Sequence, residues 1–318
     1  MKVQDIFDLA IELGIKNDLR GEVRVKSNLE KLKTRFDKLD AEKKAEFDES
    51  TLMNPYSDSQ IIFNNDNEVK KVLAGIDIGV SELLLAKEIG GFDLVISHHP
   101  LGKGLANLAE VMSLQAEVLA DYGVPINVAE GCLKTRIAEV SRGVSPINHY
   151  QEADAAKLLN QNLICVHTPA DNLVATFLKK HLECLKVQSN KEIEYVGELL
   201  AELKKIPEYA EAIKRGAGPK LFAGAEENYC GKIVLTEITG GTSGSSQIYE
   251  KMAQAGIGTI IGVHMGEDHK KEAEKHHLNV IIAGHISSDS LGMNLFLDEL
   301  VKKGIEVVSC SGLIRVNR

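Results

Sequence analysis

Four apolar runs of this chain end in histidine: DLVIS in His98 and His99, LICV in His167, TIIGV in His264, and NVIIAG in His285. Two are followed four residues on by an aspartate, Asp171 after His167 and Asp289 after His285. Short apolar runs bounded by polar residues read as buried strands, and ligands of open α/β sheets collect at the carboxyl ends of strands. Imidazole and carboxylate at such ends, without paired thiolates, form a donor set for divalent first-row metals. Neighbouring side chains on an extended backbone point to opposite sides, and Pro100 biases His99 toward that conformation. His98 and His99 would therefore serve two metals more readily than one. The alternative is that one ring closes the strand and the other is solvated. In GHISSDSLGMNLFLDEL, Gly284 permits a tight turn, Ser287 or Ser288 can cap a helix, and Asp289 falls in its first turn, where it can converge with His285. Its alternative role is to complement the helix dipole.

Other candidates are less specific. Gly240, Gly241 and Gly244 in TEITGGTSGSSQIYEKM lie between a strand and a helix and could offer backbone N–H groups to an anion. The stretch lacks the P-loop lysine and the GxGxxG spacing, so a plain turn serves equally well. His264 and His269 are candidates for moving protons or for satisfied structural histidines. His149, His181 and the pair His276 and His277 read as surface residues. No GxSxG, CxxC, Walker A or HExxH pattern is present, which argues against serine hydrolase, dithiol redox, P-loop NTPase and zincin chemistry.

The elements that must position these residues follow from patterning. From Lys71 apolar runs alternate with amphipathic segments (VLAGIDI, SELLLAKEIGG, DLVISHHP, VMSLQAEVLADYG, VPINVAEG), which implies βαβ units and mostly parallel or mixed sheet. Leu133 to Asp154 reads as polar and less regular. The alternation resumes with ADAAKLLNQN, LICVHT and NLVATFLKKHLECL. A second block runs from KIVLTEITGG through NVIIAGH and SLGMNLFLDELVKKG to the strand IEVVSC. The expected fold is α/β with two lobes and the metal site between them. Its parts are a helical N-terminal extension (1–54), a first α/β part (55–187), a connector or small subdomain (188–229) and a second α/β part (230–318). In the extension Leu29, Leu32, Phe36 and Leu39 recur at helical spacing, a stripe expected to pack on the core.

The 318 residues, 44% hydrophobic, suffice for a large core. With 37 Lys and Arg against 46 Asp and Glu the net charge is −9, which disfavours extended nucleic-acid binding. No apolar run approaches the roughly 18 residues of a membrane span, and the N-terminus lacks a signal peptide's apolar core, so a cytoplasmic location and no membrane association are expected. Five scattered cysteines suggest reduced, mostly buried thiols.

From about Pro55 to Arg318 the chain resembles the NIF-three-like (NGG-one-interacting factor three) family, also called GTP cyclohydrolase I type 2-like. GIDIGVSELLLAKEIGGFDLVISHHPL resembles its strand-helix-strand unit ending in "sHHPL", CVHTPAD its "aHTnlD", GHISSD its "GHyatE", and ITGGTSG its glycine-rich turn. The resemblance implies two divalent metals (zinc, manganese, iron, cobalt or nickel) held by His98, His99, Asp171, His285 and Asp289, with Asp171 bridging. Two departures are visible: Asp289 stands where the family usually has glutamate, and the stretch between the first two motifs is longer. It implies, further, a homo-oligomer, a ring-shaped hexamer, and hydrolysis of a nucleotide or similar small molecule, with His264 or His269 shuttling protons. Paired metals acidify water toward neutral pH, which suits that chemistry. A metal-binding regulatory, scaffold or metallochaperone-like protein is the alternative.

Overall fold

The computed structural model describes residues 1–189 and 193–318; of the expected connector, 190–192 lie outside the described residues. Among the described residues, nine strands form two mixed sheets. β1 (Gln60–Phe63), β2 (Lys71–Gly75), β3 (Leu94–Ser97), β4 (Asn162–Cys165) and β9 (Glu306–Cys310) make the first, in the order β1-β4-β3-β2-β9. β5 (Lys220–Ala223), β6 (Lys232–Leu235), β7 (Ile257–Gly262) and β8 (Asn279–Ile282) make the second, in the order β5-β8-β7-β6. Only the edge strands β1 and β5 run antiparallel to their neighbours. β3, β4 and β8 are buried along their whole length, which is why they read as unbroken apolar runs rather than as alternations. The fold is the two-lobed α/β arrangement that the alternation predicts.

Several elements differ from the sequence reading. VPINVAEG opens the helix Ile126–Val144 rather than forming a strand, and the supposedly irregular stretch beyond Leu133 continues that helix and then the helix Gln151–Leu159. Ala129, Leu133, Val140 and Val144 bury one face at helical spacing, a signal diluted by the charges between them. The strand IEVVSC, last in the second block by sequence, pairs instead with β2 in the first sheet, Val307 opposite Val72. At the N-terminus the helix Val3–Lys16 is the buried one: Val3, Ile6, Phe7, Ala10, Ile11 and Ile15 enter the core of the first lobe. The Leu29, Leu32, Phe36 and Leu39 stripe is only half-buried.

The helices Thr168–Ser189 and His285–Lys302 join the lobes. Ala170, Leu173, Phe296 and Leu297 belong to the core of the first, whereas Val174, Leu178 and Leu291 belong to that of the second. Among the described residues no helix is long and apolar enough to cross a membrane. The five cysteines are free.

Candidate metal centre

The carboxyl ends of five parallel strands, three from the first sheet and two from the second, deliver the polar cluster. Asp77 follows β2, His98 and His99 follow β3, His167 follows β4, His264 follows β7 and His285 follows β8. Asp171 and Asp289 each stand one helical turn beyond a strand-end histidine, where the four-residue spacing turns the carboxylate back toward the ring. Gly284 makes the entry to the second helix possible: its φ of +96° suits glycine, and a Cβ there would meet the Ala217 carbonyl oxygen at 2.7 Å. Ser287 and Ser288, expected as caps, lie inside the helix and donate to the Gly284 carbonyl.

Three histidines are anchored through Nδ1, which turns Nε2 toward the centre. His98 Nδ1 donates to the Val166 carbonyl at 3.2 Å, His99 Nδ1 pairs with Asp77 Oδ1 at 2.6 Å, and His167 Nδ1 with the buried Asp58 Oδ2 at 2.7 Å. Such outer partners fix ring tautomer and orientation. Inside the cluster His98 Nε2 lies 3.5 Å from Asp171 Oδ1 and 3.6 Å from Asp289 Oδ1. His99 Nε2 and His285 Nε2 lie 3.5 and 3.6 Å from Asp289 Oδ2, and His167 Nε2 lies 3.8 Å from Asp171 Oδ2. These separations exceed ordinary hydrogen bonds. Donors bound about 2.1 Å from one ion stand about 3.4 Å apart at a tetrahedral angle. His98 Nε2 and Asp289 Oδ2 are buried without any hydrogen-bond partner, a costly condition that a cation would relieve. Three overlapping sets have donor atoms within 4.8 Å of one another: His98, His99 and His167; His99, His285 and Asp289; His98, Asp171 and Asp289. This buried His/Asp cluster could hold a metal.

Its charges are strongly perturbed without one. Burial, then the negative charges of Asp289 and Asp58, push the Asp171 carboxyl well above its usual range. Burial would raise Asp289 too, but the imidazoles of His98, His99 and His285 outweigh it and hold that carboxyl well below the usual range. Burial depresses His98 and His285. On His99 burial is outweighed by the carboxylates of Asp289 and Asp77, which push the ring up to about 9.

All five residues assigned through the resemblance therefore come together. His167, at a strand end but outside that set of five, joins them. The adjacent rings of His98 and His99 do not diverge as on a strand, because β3 ends at Ser97 and the backbone bends. Both face the cluster, but each with its own carboxylate set. Asp289 rather than Asp171 lies in both sets that contain carboxylates. His264 lines a cleft of about 260 Å³ with Asp171, His285 and Asp289. Its Nδ1 shares a 2.8 Å hydrogen bond with Ser243 Oγ, and burial followed by the nearby His285 lowers it to about 4. His269 does not line this cleft and donates from Nε2 to the Gly244 carbonyl at 3.0 Å. The glycine turn contributes Gly241 and Thr242 to the cleft wall, and the following helix begins only at Ile248. His149, His181, His276 and His277 stand outside the donor sets. Asp77 was discoverable as a strand-end acid; Asp58, before β1, carries no local signal.

No family model and no curated protein matches the chain. Among solved structures, it is similar to a NIF3 superfamily protein from Sphaerobacter thermophilus, with a TM-score of 0.74, 28% identity and coverage of 81% of this chain and 92% of that one. Weaker likenesses are to reduced HcgD from Methanocaldococcus jannaschii (TM-score 0.45, 18% identity, 79% and 87% covered) and a Bacillus cereus protein related to NIF3 (0.43, 10%, 79% and 89%). The fold of the Sphaerobacter protein, shared over most of both chains, together with the His/Asp cluster at this chain's own strand ends, supports NIF3-like family membership.

Proposed function

We propose that the chain binds two divalent metal ions, from among zinc, manganese, iron, cobalt and nickel, and hydrolyses a nucleotide-like small molecule. The observation that carries this reading is the pair of donor sets sharing Asp289, one completed by His98 and Asp171, the other by His99 and His285. Ions bound there would acidify water toward neutral pH and draw charge from an electrophilic carbon or phosphorus. The protein's own groups have distinct tasks. His167 supports the Asp171 side, with Asp58 fixing its ring. His264, neutral at physiological pH, suits a hydrogen bond to substrate oxygen better than storage of a proton. Even counting space open to solvent, the cleft of about 260 Å³ falls short of the roughly 300–1,000 Å³ of ordinary small-molecule sites. The reacting group of the substrate enters it while the remainder lies outside.

That small volume also favours a second reading, a metal-binding regulatory or scaffold protein without turnover. Assembly into a homo-oligomer, a hexamer by family resemblance, belongs to either reading and is checked by light scattering. Elemental analysis of protein purified without chelators, followed by a metal-reconstituted screen of GTP, other nucleotides and phosphoesters, separates the two. Two ions per chain and turnover that Asp289→Asn abolishes support the hydrolase. Stoichiometric metal with no rate above that of free metal overturns it in favour of the scaffold.

A further inference from the structure

Glu237, two residues beyond the end of β6, is a buried carboxyl group that the preceding reading leaves without a task. Its side chain is 7% exposed, and Oε1 is buried with no hydrogen-bond partner. Its backbone sits at a φ of +56°, a region that non-glycine residues rarely adopt. It lines the metal cleft together with His264, His285 and Asp289. It also lines an adjoining pocket walled by Leu114, Leu133 and Ile248, where the Thr236 hydroxyl is likewise buried and unpartnered. A carboxyl oxygen left unpaired in such surroundings is costly to keep, and the cleft gives it a chemical use.

We propose that Glu237 is the general acid of this site, giving its carboxyl proton to the leaving atom of the substrate; the inference rests on the hydrolase reading above. In R–X + H₂O the water oxygen bonds to the electrophilic centre. The bond to X breaks with its electron pair staying on X, and X takes the proton from Glu237. The proton that water loses restores the carboxyl group, so the cycle consumes only water.

The surroundings suit a proton donor. Burial raises the Glu237 carboxyl; His269, with Nε2 4.0 Å away, the Gly244 N–H, Tyr249 and Arg136 all act in the opposite direction without cancelling it. The groups facing it thus come from the helices Glu267–Lys275, Ile248–Gln254 and Ile126–Val144, and from the glycine turn. A raised carboxyl acts as an acid while protonated, so the rate falls as pH rises through its pKa.

The test compares wild-type protein and Glu237→Gln, both metal-loaded, on phenyl phosphate (poor leaving group), 4-nitrophenyl phosphate (good leaving group) and GTP. The expected result is intact metal content, a loss of about 10²–10⁴-fold in kcat on phenyl phosphate, little loss on 4-nitrophenyl phosphate, and disappearance of the alkaline limb of the pH profile. Independently of turnover, the infrared difference between metal-free wild type and Glu237→Gln should show a carboxylic-acid band that persists to higher pH than that of an exposed glutamate. Equal loss on both esters with metal retained, no loss on either, or a band that vanishes at the ordinary carboxyl pH overturns the assignment and leaves the hydrolase reading standing. Absence of wild-type turnover on every probe overturns both.

Discussion

Asp289 has three imidazole nitrogens within 3.6 Å of its two oxygens, so a metal entering the site would have to displace the protons held there. His99, at about 9, holds its proton at pH 7, and the raised Asp171 carboxyl resists ionising. Both must lose protons to ligate, so apparent metal affinity should climb as pH rises toward 9, and metal addition at pH 7 should release protons. An indicator-dye titration measures this; binding without proton release would place the metal elsewhere. Asp58→Ala should weaken metal binding by about 10–100-fold, because it removes the acceptor that holds the His167 ring. Affinity unchanged in a chelator competition would mean that His167 is no ligand. The strand-end histidines and the acids four residues on are legible from sequence because both spacings are local. Asp58 is not, because 109 residues separate it from its partner.

At the scale of elements, the two carboxylates share a site because their helices cross at Gly292. A Cβ there would come within 2.3 Å of the Ala170 carbonyl oxygen, next to Asp171 and one turn from Asp289 along the other helix. Gly292→Ala should therefore destabilise the fold by about 1–3 kcal/mol and reduce metal content as the helices are forced apart. Chemical denaturation and elemental analysis check this; full stability would show that the crossing has slack. Strands buried on both faces were readable as apolar runs. The helix Ile126–Val144 was not, because its thin apolar stripe is interrupted by charge, and VPINV imitates a strand start.

For the whole molecule, the N-terminal helix is part of the core rather than an ornament on it. Ile6 is fully buried among residues of the first lobe. Ile6→Ala should cost about 2–5 kcal/mol, visible as a lowered denaturation midpoint, whereas Leu32→Ala on the half-buried second helix should cost less. Equal effects would contradict this packing. The sequence by itself determined the α/β class, the strand ends at which polar side chains emerge, and the i, i+4 pairing of histidine with aspartate, because each rests on backbone geometry spanning a few residues. Only the tertiary structure decided that β9 returns to the first sheet, that the carboxyl ends of both sheets face one centre, that Asp58 and Asp77 orient the rings, and that Glu237 is buried on the cleft wall. Those relations join residues far apart in the chain. They follow from how the two lobes pack through the crossing helices, which no local spacing encodes.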